Sequence, residues 1–274
     1  MWRRASFFPT SARTAKRASA KNSVAASKKP KPSPSRPEGR YRTRFEEDVG
    51  GYQSPHDDYE IGSTSLKQPR GQSGAVVTLT AFALNCSLKS STEASSTDKL
   101  IEEALAEHGV SASGTVRIAD CDVRAGVSSD EGDGDEWPAL RQRILDADIF
   151  VLGTPIWMGH PSSHAQRVLE RLDAFLGETD ASGRMVSLGR VAIVAVVGNE
   201  DGAHHVAAEL FQGLNDVGFT IPAGGMTYWV GEAMHKTDYK DLPSGSAKTD
   251  QATKTAAANA AHLARLLADA PYPA

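Results

Sequence analysis

The stretch DIFVLGTPIWMGHPSS, residues 148–163, decides the fold class of this chain. Its apolar run, Ile149–Leu152, ends in Gly-Thr-Pro, and a polar Pro-Ser-Ser sequence then begins a helical pattern. A continuous apolar run of this kind is typical of a buried parallel strand, and ligands of parallel sheets bind just beyond the carboxyl ends of the strands. The bulky loop that follows, with Trp157, Met158 and His160, therefore predicts a binding site at this strand end.

The same alternation of apolar runs and helical patterns extends over residues 74–270. Strands are predicted at 75–84, 115–120, 149–154, 190–198 and 219–226, and helices at 95–108, 137–147, 162–176, 203–216 and about 250–268. Five β–α alternations predict a doubly wound α/β fold with a five-stranded parallel sheet in the strand order 2-1-3-4-5. We find no internal repeat and no second core.

Residues 1–40 differ in composition from the rest. They carry eleven Lys and Arg against one acid, Glu38, so the other residues carry a net charge of −14, since the whole chain carries −4. This Ser-, Arg- and Pro-rich segment predicts a disordered basic tail. A solvated tail of a cytoplasmic protein is favoured over an organelle transit peptide, which the acid-poor composition also fits. Residues 41–73, without periodicity, predict an extended lead-in.

Charge and composition also bear on partners and compartment. The acidic body argues against a nucleic-acid partner, and no apolar stretch reaches the length needed to span a membrane. The two cysteines, Cys86 and Cys121, are too few for a disulfide framework and favour a reducing compartment.

A loop rich in hydroxyl groups follows the first predicted strand. Hydroxyl donors, a cation and the free N–H groups of a helix start together suit a terminal phosphate monoester, and this loop offers Ser87, Lys89, Ser95, Ser96 and Thr97. The same residues also fit a flexible loop that ends in an ordinary helix cap at Ser95 or Ser96. Neither a G-x-G-x-x-G nor a G-x-x-x-x-G-K motif is present.

Three loop motifs occur together at the predicted strand ends: the hydroxyl loop, T-P-I-W at 154–157 and G-N-E-D-G at 198–202. In this combination, residues 75–270 resemble the flavodoxin-like NAD(P)H-dependent FMN reductases. The resemblance implies that the first loop holds the FMN phosphate, that the second follows the ribityl chain and the isoalloxazine edge, and that the third is a further flavin loop. The matching residues are Ser87, Lys89, Ser95, Ser96 and Thr97 in the first loop, Thr154, Pro155, Ile156, Trp157, Met158 and Gly159 in the second, and Gly198, Asn199, Glu200, Asp201 and Gly202 in the third.

The resemblance implies an FMN-dependent NAD(P)H oxidoreductase, in which a nicotinamide passes a hydride to FMN and a flavin, a quinone or a similar acceptor receives it. No catalytic side chain and no metal are expected, and a homodimer or homotetramer is implied. The alternative is a flavodoxin-type electron carrier that binds FMN without reacting with nicotinamides. A flavodoxin-like interaction module without flavin is a third hypothesis.

Several residues keep two interpretations. Trp157 either covers the flavin or anchors a helix start, and the pair Tyr228–Trp229 either lines the substrate side or closes the sheet edge. The pair His204–His205 either faces an acceptor or simply opens a helix, and it lacks a third ligand nearby for a metal site. The acidic run 130–136 predicts a solvated loop rather than a cation site.

Overall fold

The computed structural model describes residues 78–106, 110–233 and 235–273. The predicted basic tail at 1–40 and the lead-in at 41–73 lie outside these residues. Within the described ranges the strands are β1 (Thr80–Asn85), β2 (Ser111–Arg117), β3 (Ile149–Trp157), β4 (His160–Pro161), β5 (Val191–Gly198) and β6 (Met226–Val230). The helices are α1 (Ser96–Ala106), α2 (Trp137–Asp146), α3 (Ser163–Leu172), α4 (Ala203–Asp216) and α5 (Ala247–Asp269).

The five long strands form one parallel sheet in the order β2-β1-β3-β5-β6, and the short β4 pairs antiparallel with β3. This confirms the doubly wound flavodoxin-like fold and the predicted order 2-1-3-4-5, since β5 and β6 are the fourth and fifth parallel strands. The chain adds β2 on one side of β1 and β3 on the other, so the order in which strands are added reverses between β1 and β3. The loops after these two strands therefore diverge and leave a crevice at the carboxyl ends of the strands.

Helices cover both faces of the sheet, which explains the continuous apolar runs of the central strands. On one face Phe82 and Phe150 pack against α2, α3 and α4, and on the other Ile149 and Val151 pack against α1 and α5. Alternate residues of a strand point to opposite faces, so each central strand contributes to both cores. No helix in the described part of the chain is long and apolar enough to cross a membrane.

The last strand is Met226–Val230, so the predicted strand at 219–226 is wrong. Pro222 fixes its own backbone and Gly224 has a φ of 65°, so the chain turns there before it joins the sheet. The aromatic pair at 228–229 therefore lies within the strand and not beyond it.

The bounds of three other strands also differ from the prediction. β1 spans Thr80–Asn85, where a strand was predicted at 75–84. β2 begins at Ser111 instead of 115, because an edge strand can keep the polar start Ser-Ala-Ser-Gly exposed, and it ends before a 3-10 turn at Ile118–Asp120. β3 extends to Trp157 instead of 154, because its pairing with β5 continues to Pro155 and its last two residues pair with β4.

Candidate functional site

A cavity of about 380 Å³ lies at the carboxyl ends of β1, β3 and β5, within the size range of small-molecule sites. The sequence-predicted residues that line it are Ser87, Lys89, Ser95, Ser96, Thr97, Pro155, Ile156, Trp157, Gly198, Asn199 and Glu200. The predicted residues that do not line it are Thr154, Met158, Gly159, Asp201 and Gly202. All three loops chosen from the sequence thus contribute to one cavity.

The first loop is held in place by a buried guanidinium that the sequence analysis missed. Arg117, at the end of β2, is 7% exposed and donates to the carbonyl oxygens of Ser90 and Glu93, the latter at 2.7 Å. Its Nε donates to Asp98 Oδ2 at 2.9 Å in the first turn of α1. The backbone of the loop is therefore fixed by the protein itself. A lone arginine in an edge strand gives no sequence signal of such a role.

The start of α1 combines helix capping with the cavity wall. Ser95 Oγ accepts the N–H groups of Thr97 at 3.2 Å and Asp98 at 3.4 Å. Ser95 is therefore an ordinary helix cap, which was one of the two interpretations of this loop. Ser96 Oγ accepts the N–H of Lys240 at 3.2 Å and so joins α1 to the segment that follows β6. The helix N-terminus and Lys89 place positive charge in this part of the cavity wall.

The second loop is a tight hairpin between β3 and β4. Trp157 pairs with His160, and the two turn residues, Met158 and Gly159, have φ values of 54° and 78°. Two successive positive φ angles are typical of the two-residue turns that join hairpin strands. Met158 is 87% exposed at the tip, so its side chain lies off the cavity wall, which Trp157 lines.

Three predicted flavin-binding residues that do not line the cavity hold the second and third loops in position. Thr154 is fully buried, and its Oγ1 accepts the N–H of Ser162 at 3.0 Å at the base of the hairpin. Gly202 has a φ of 123° and lies against the hairpin turn, so closely that a Cβ there would stand 3.0 Å from Gly159 Cα. Asp201 Oδ1 accepts the N–H of Gly202 at 2.7 Å.

The third loop places two buried acceptors in the cavity wall. Asn199 Oδ1 and Glu200 Oε1 have no hydrogen-bond partner among the described residues. Asn199 Nδ2 donates to Asp238 Oδ1 at 3.0 Å, which orients the amide. A buried acceptor left without a donor costs about 1–3 kcal/mol, so a ligand that supplies a donor at this wall would be stabilised there.

The remaining wall comes from β6 and the segment 238–241. The rings of Trp229 and Tyr239 lie 5.3 Å apart, and Lys99 Nζ lies 4.7 Å from the centre of the Tyr239 ring. Burial and the hydrogen bond to Glu103 raise the pKa of Tyr239, so the phenol stays neutral and structural. Of the two interpretations of Trp229, the structure supports the one that lines the cavity.

The lining residues fit FMN. A phosphate monoester would meet Lys89 and the start of α1, and a planar apolar ring would meet Trp157 and Trp229. The pyrimidine edge of isoalloxazine carries one N3–H donor, which suits one of the two unpartnered oxygens of the third loop.

The acidic run contains one residue that is not solvated. The Asp135 side chain is fully buried, with Oδ2 2.7 Å from Arg171 Nη2. Burial opposes ionisation, but the hydrogen bonds from Arg171 and from the N–H groups of Glu131, Trp137 and Arg124 outweigh it and lower the pKa of Asp135 to about 2. This ion pair fastens the acidic loop to α3.

Fold and cavity together define a doubly wound α/β protein with a mononucleotide-sized site at its switch point. The chain belongs to the NADPH-dependent FMN reductase family, whose model matches residues 79–235. The resemblance noted in the three loops is thereby confirmed, and an FMN-dependent oxidoreductase family is the class of this protein.

Two curated relatives differ in how much of them the chain spans. The 8-demethyl-8-aminoriboflavin-5'-phosphate synthase of Streptomyces davaonensis is 33% identical over 208 residues, which cover 71% of this chain and 80% of that protein. The divalent metal cation transporter MntH of Mycobacterium bovis is 39% identical over 199 residues, which cover 69% of this chain but 29% of that protein.

Among solved structures, RosB with the bound intermediate 8-demethyl-8-formylriboflavin-5'-phosphate is similar to this chain at a TM-score of 0.63 and 31% identity. The similarity covers 71% of this chain and 82% of RosB.

Proposed function

We propose that the protein binds FMN in the cavity at the β1/β3 switch point and is an NAD(P)H oxidoreductase that reduces a flavin, a quinone or a similar acceptor. The observation that carries the FMN assignment is the pair of buried acceptors without donors, Asn199 Oδ1 and Glu200 Oε1, in the cavity wall. Family membership supports the oxidoreductase class, and the nicotinamide donor and the acceptor are part of the proposal.

The first loop is assigned to the phosphate. Lys89 supplies a charge-assisted hydrogen bond, which is about twice as strong as a neutral one. The hydroxyls of Ser87 and Thr97 and the N–H of Ser96 at the start of α1 add further donors, whereas Ser95 Oγ already accepts the N–H groups of Thr97 and Asp98. Arg117 keeps the loop in this shape through its bonds to Ser90, Glu93 and Asp98, and it does not itself line the cavity.

Bound FMN supplies two-electron chemistry between a nicotinamide and an acceptor. Trp157 and Trp229 orient the ring by contact with its apolar surface and exclude water from it. Trp157 is 53% exposed, so it also forms the outer rim of the cavity, where a second planar molecule could be received.

The phosphate assignment is tested by FMN titration of the Lys89→Met variant. Loss of one charge-assisted contact is expected to weaken FMN binding by about tenfold or more, since hydrogen bonds to charged groups contribute about 1.5–3 kcal/mol. Lys254→Met, an exposed lysine on α5, is the matched control. Equal FMN affinity in both variants would contradict the assignment.

The redox assignment is tested by an anaerobic absorption spectrum of the FMN-loaded protein before and after addition of NADPH, and then of NADH. Prompt bleaching of the flavin band is the expected result. A flavin that binds but stays oxidised would instead support the electron-carrier alternative. Failure to retain FMN would refute both.

A second candidate function is chemical modification of the flavin itself. It is favoured by the similarity to RosB, which was solved with an 8-formyl flavin phosphate as bound intermediate. The two candidates differ in the fate of FMN: an oxidoreductase returns it unchanged. Mass analysis of the flavin released after aerobic incubation distinguishes them, because modification at the ring changes its mass.

A further inference from the structure

The fold brings together a cluster of possible metal-ligating side chains that are separated in the sequence. The pair His204–His205 opens α4, and the two rings diverge. The ring of His204 lies 5.1 Å from that of Tyr228, whereas His205 turns toward Glu209, one helical turn further on. His160, on β4, reaches the same glutamate from the hairpin.

The three side chains converge on one point. His160 Nδ1 lies 2.8 Å and His205 Nε2 lies 2.6 Å from the same oxygen, Glu209 Oε1. Each residue offers one ligand atom, and these atoms all lie within 4.8 Å of one another. The exposed fractions of the side chains are 61% for His160, 58% for His205 and 33% for Glu209, so an ion can reach the cluster from solvent.

We propose that His160, His205 and Glu209 bind one divalent transition-metal ion of the Zn²⁺ type. Two imidazole nitrogens and a carboxylate form a ligand set that zinc commonly uses, with water in a further position. Tetrahedral ligand atoms about 2.0–2.2 Å from the metal stand roughly 3.3 Å apart, so each imidazole nitrogen needs to move away from Glu209 Oε1 by only about half an ångström. The two imidazole nitrogens lie within 4.8 Å of each other, so they are also close enough to share one ion. Exposed side chains make this adjustment without disturbing a core.

The metal ion links two elements. His160 belongs to the β3–β4 hairpin, whereas His205 and Glu209 belong to α4. His160 is the register partner of Trp157, whose side chain lines the cavity. The ion therefore fastens the hairpin to the helix and restricts the motion of one cavity wall. The site itself does not depend on FMN or on the proposed function.

The first test measures Zn²⁺ binding by the tag-free, EDTA-treated full-length protein, in competition with a colorimetric chelator. His160→Ala, His205→Ala and Glu209→Gln are each expected to weaken the site by more than about tenfold, since even outer-shell changes weaken metal sites by 10–100-fold. His204→Ala is the matched control, because it removes the neighbouring ring without touching the cluster, and it should change affinity by less than about twofold. Absence of Zn²⁺ binding, or binding unchanged in Glu209→Gln, overturns the proposal.

The second test asks whether the ion fastens the hairpin. Hydrogen exchange of the peptide that spans residues 156–162 should slow on addition of Zn²⁺ to the wild-type protein and should not change in Glu209→Gln. Exchange that slows equally in both proteins, or in neither, overturns the link between hairpin and helix. Because both tests use protein without FMN, their failure is separate from any failure of the proposed function.

Discussion

At the scale of single residues, Glu200 distinguishes a ligand site from a structural loop. Its buried Oε1 has no donor among the described residues, so the folded protein carries an acceptor in the cavity wall that a ligand donor would satisfy. Sites built for a ligand commonly sacrifice stability in this way.

We therefore predict opposite effects of Glu200→Ala on stability and on binding. Removal of the unpartnered acceptor should leave the free energy of unfolding of the ligand-free protein equal or higher. FMN affinity should fall by about fivefold, which corresponds to a net hydrogen bond of about 1 kcal/mol. Urea unfolding and FMN titration measure the two quantities. Glu200→Gln, which keeps an acceptor oxygen, is the control, and a parallel loss of stability and affinity in Glu200→Ala would contradict the prediction.

The buried pair of Asp135 and Arg171 predicts a dependence of stability on acid. The pKa of Asp135 is lowered from 3.8 to about 2, so its contribution is fully present above pH 4 and is lost as the pH falls toward 2. Asp135→Asn should therefore flatten the fall in urea midpoint between pH 4 and pH 2, whereas Asp133→Asn, at an exposed acid of the same run, should not. An acid dependence that is identical in both variants would refute this.

Removal of the partner tests the same pair at neutral pH. Arg171→Met should lower the free energy of unfolding by about 3–5 kcal/mol, because it leaves the Asp135 carboxylate buried without its cation. Urea unfolding at pH 7 measures the change. A loss below about 1 kcal/mol, the value of an exposed pair, would show that Asp135 is solvated.

At the scale of elements, the contact between the second and third loops depends on Gly202. Gly202→Ala would place a Cβ 3.0 Å from Gly159 Cα and 3.1 Å from Gly159 O, at a φ of 123° that other residues rarely adopt. We expect a loss of about 1–3 kcal/mol in stability and weaker FMN binding, because the hairpin must move away from α4. Gly177→Ala, where a Cβ meets nothing within 4 Å, is the control. Thermal unfolding of both variants checks this, and equal midpoints would contradict it.

Elements with strong apolar patterns could be predicted from the sequence, and those set by tertiary pairing could not. α4 has the predicted bounds, 203–216, because its buried positions recur at helical spacing. The Ser-Ala-Ser-Gly start of β2 has no such pattern and becomes a strand only beside β1. The last strand was misplaced because Phe219 and Ile221 mimic the start of a strand, although Pro222 prevents its continuation.

In the candidate site, too, residues in local motifs could be predicted from the sequence, and residues that act through tertiary contacts could not. Lys89, Trp157 and Asn199 stand in local motifs at strand ends, so the sequence could single them out. Arg117 and Tyr239 act through partners far away along the chain, Glu93 and Glu103 among them, and no local motif marks such contacts.

At the scale of the whole molecule, the family resemblance predicts a homodimer or homotetramer. Light scattering of the full-length protein after size exclusion measures its mass directly. A mass equal to the 29.1 kDa of one chain at micromolar concentration would refute this prediction.

The positions of the tryptophans give the molecule an optical property. Trp157 and Trp229 line the cavity. Trp137, the first residue of α2, is instead fully buried in the core on the other side of the sheet from α1 and α5. Oxidised flavins absorb where tryptophan emits, and energy transfer between the two falls steeply with distance. Intrinsic emission from the two cavity tryptophans should therefore be quenched when a flavin binds, so occupancy of the site can be followed without an added label.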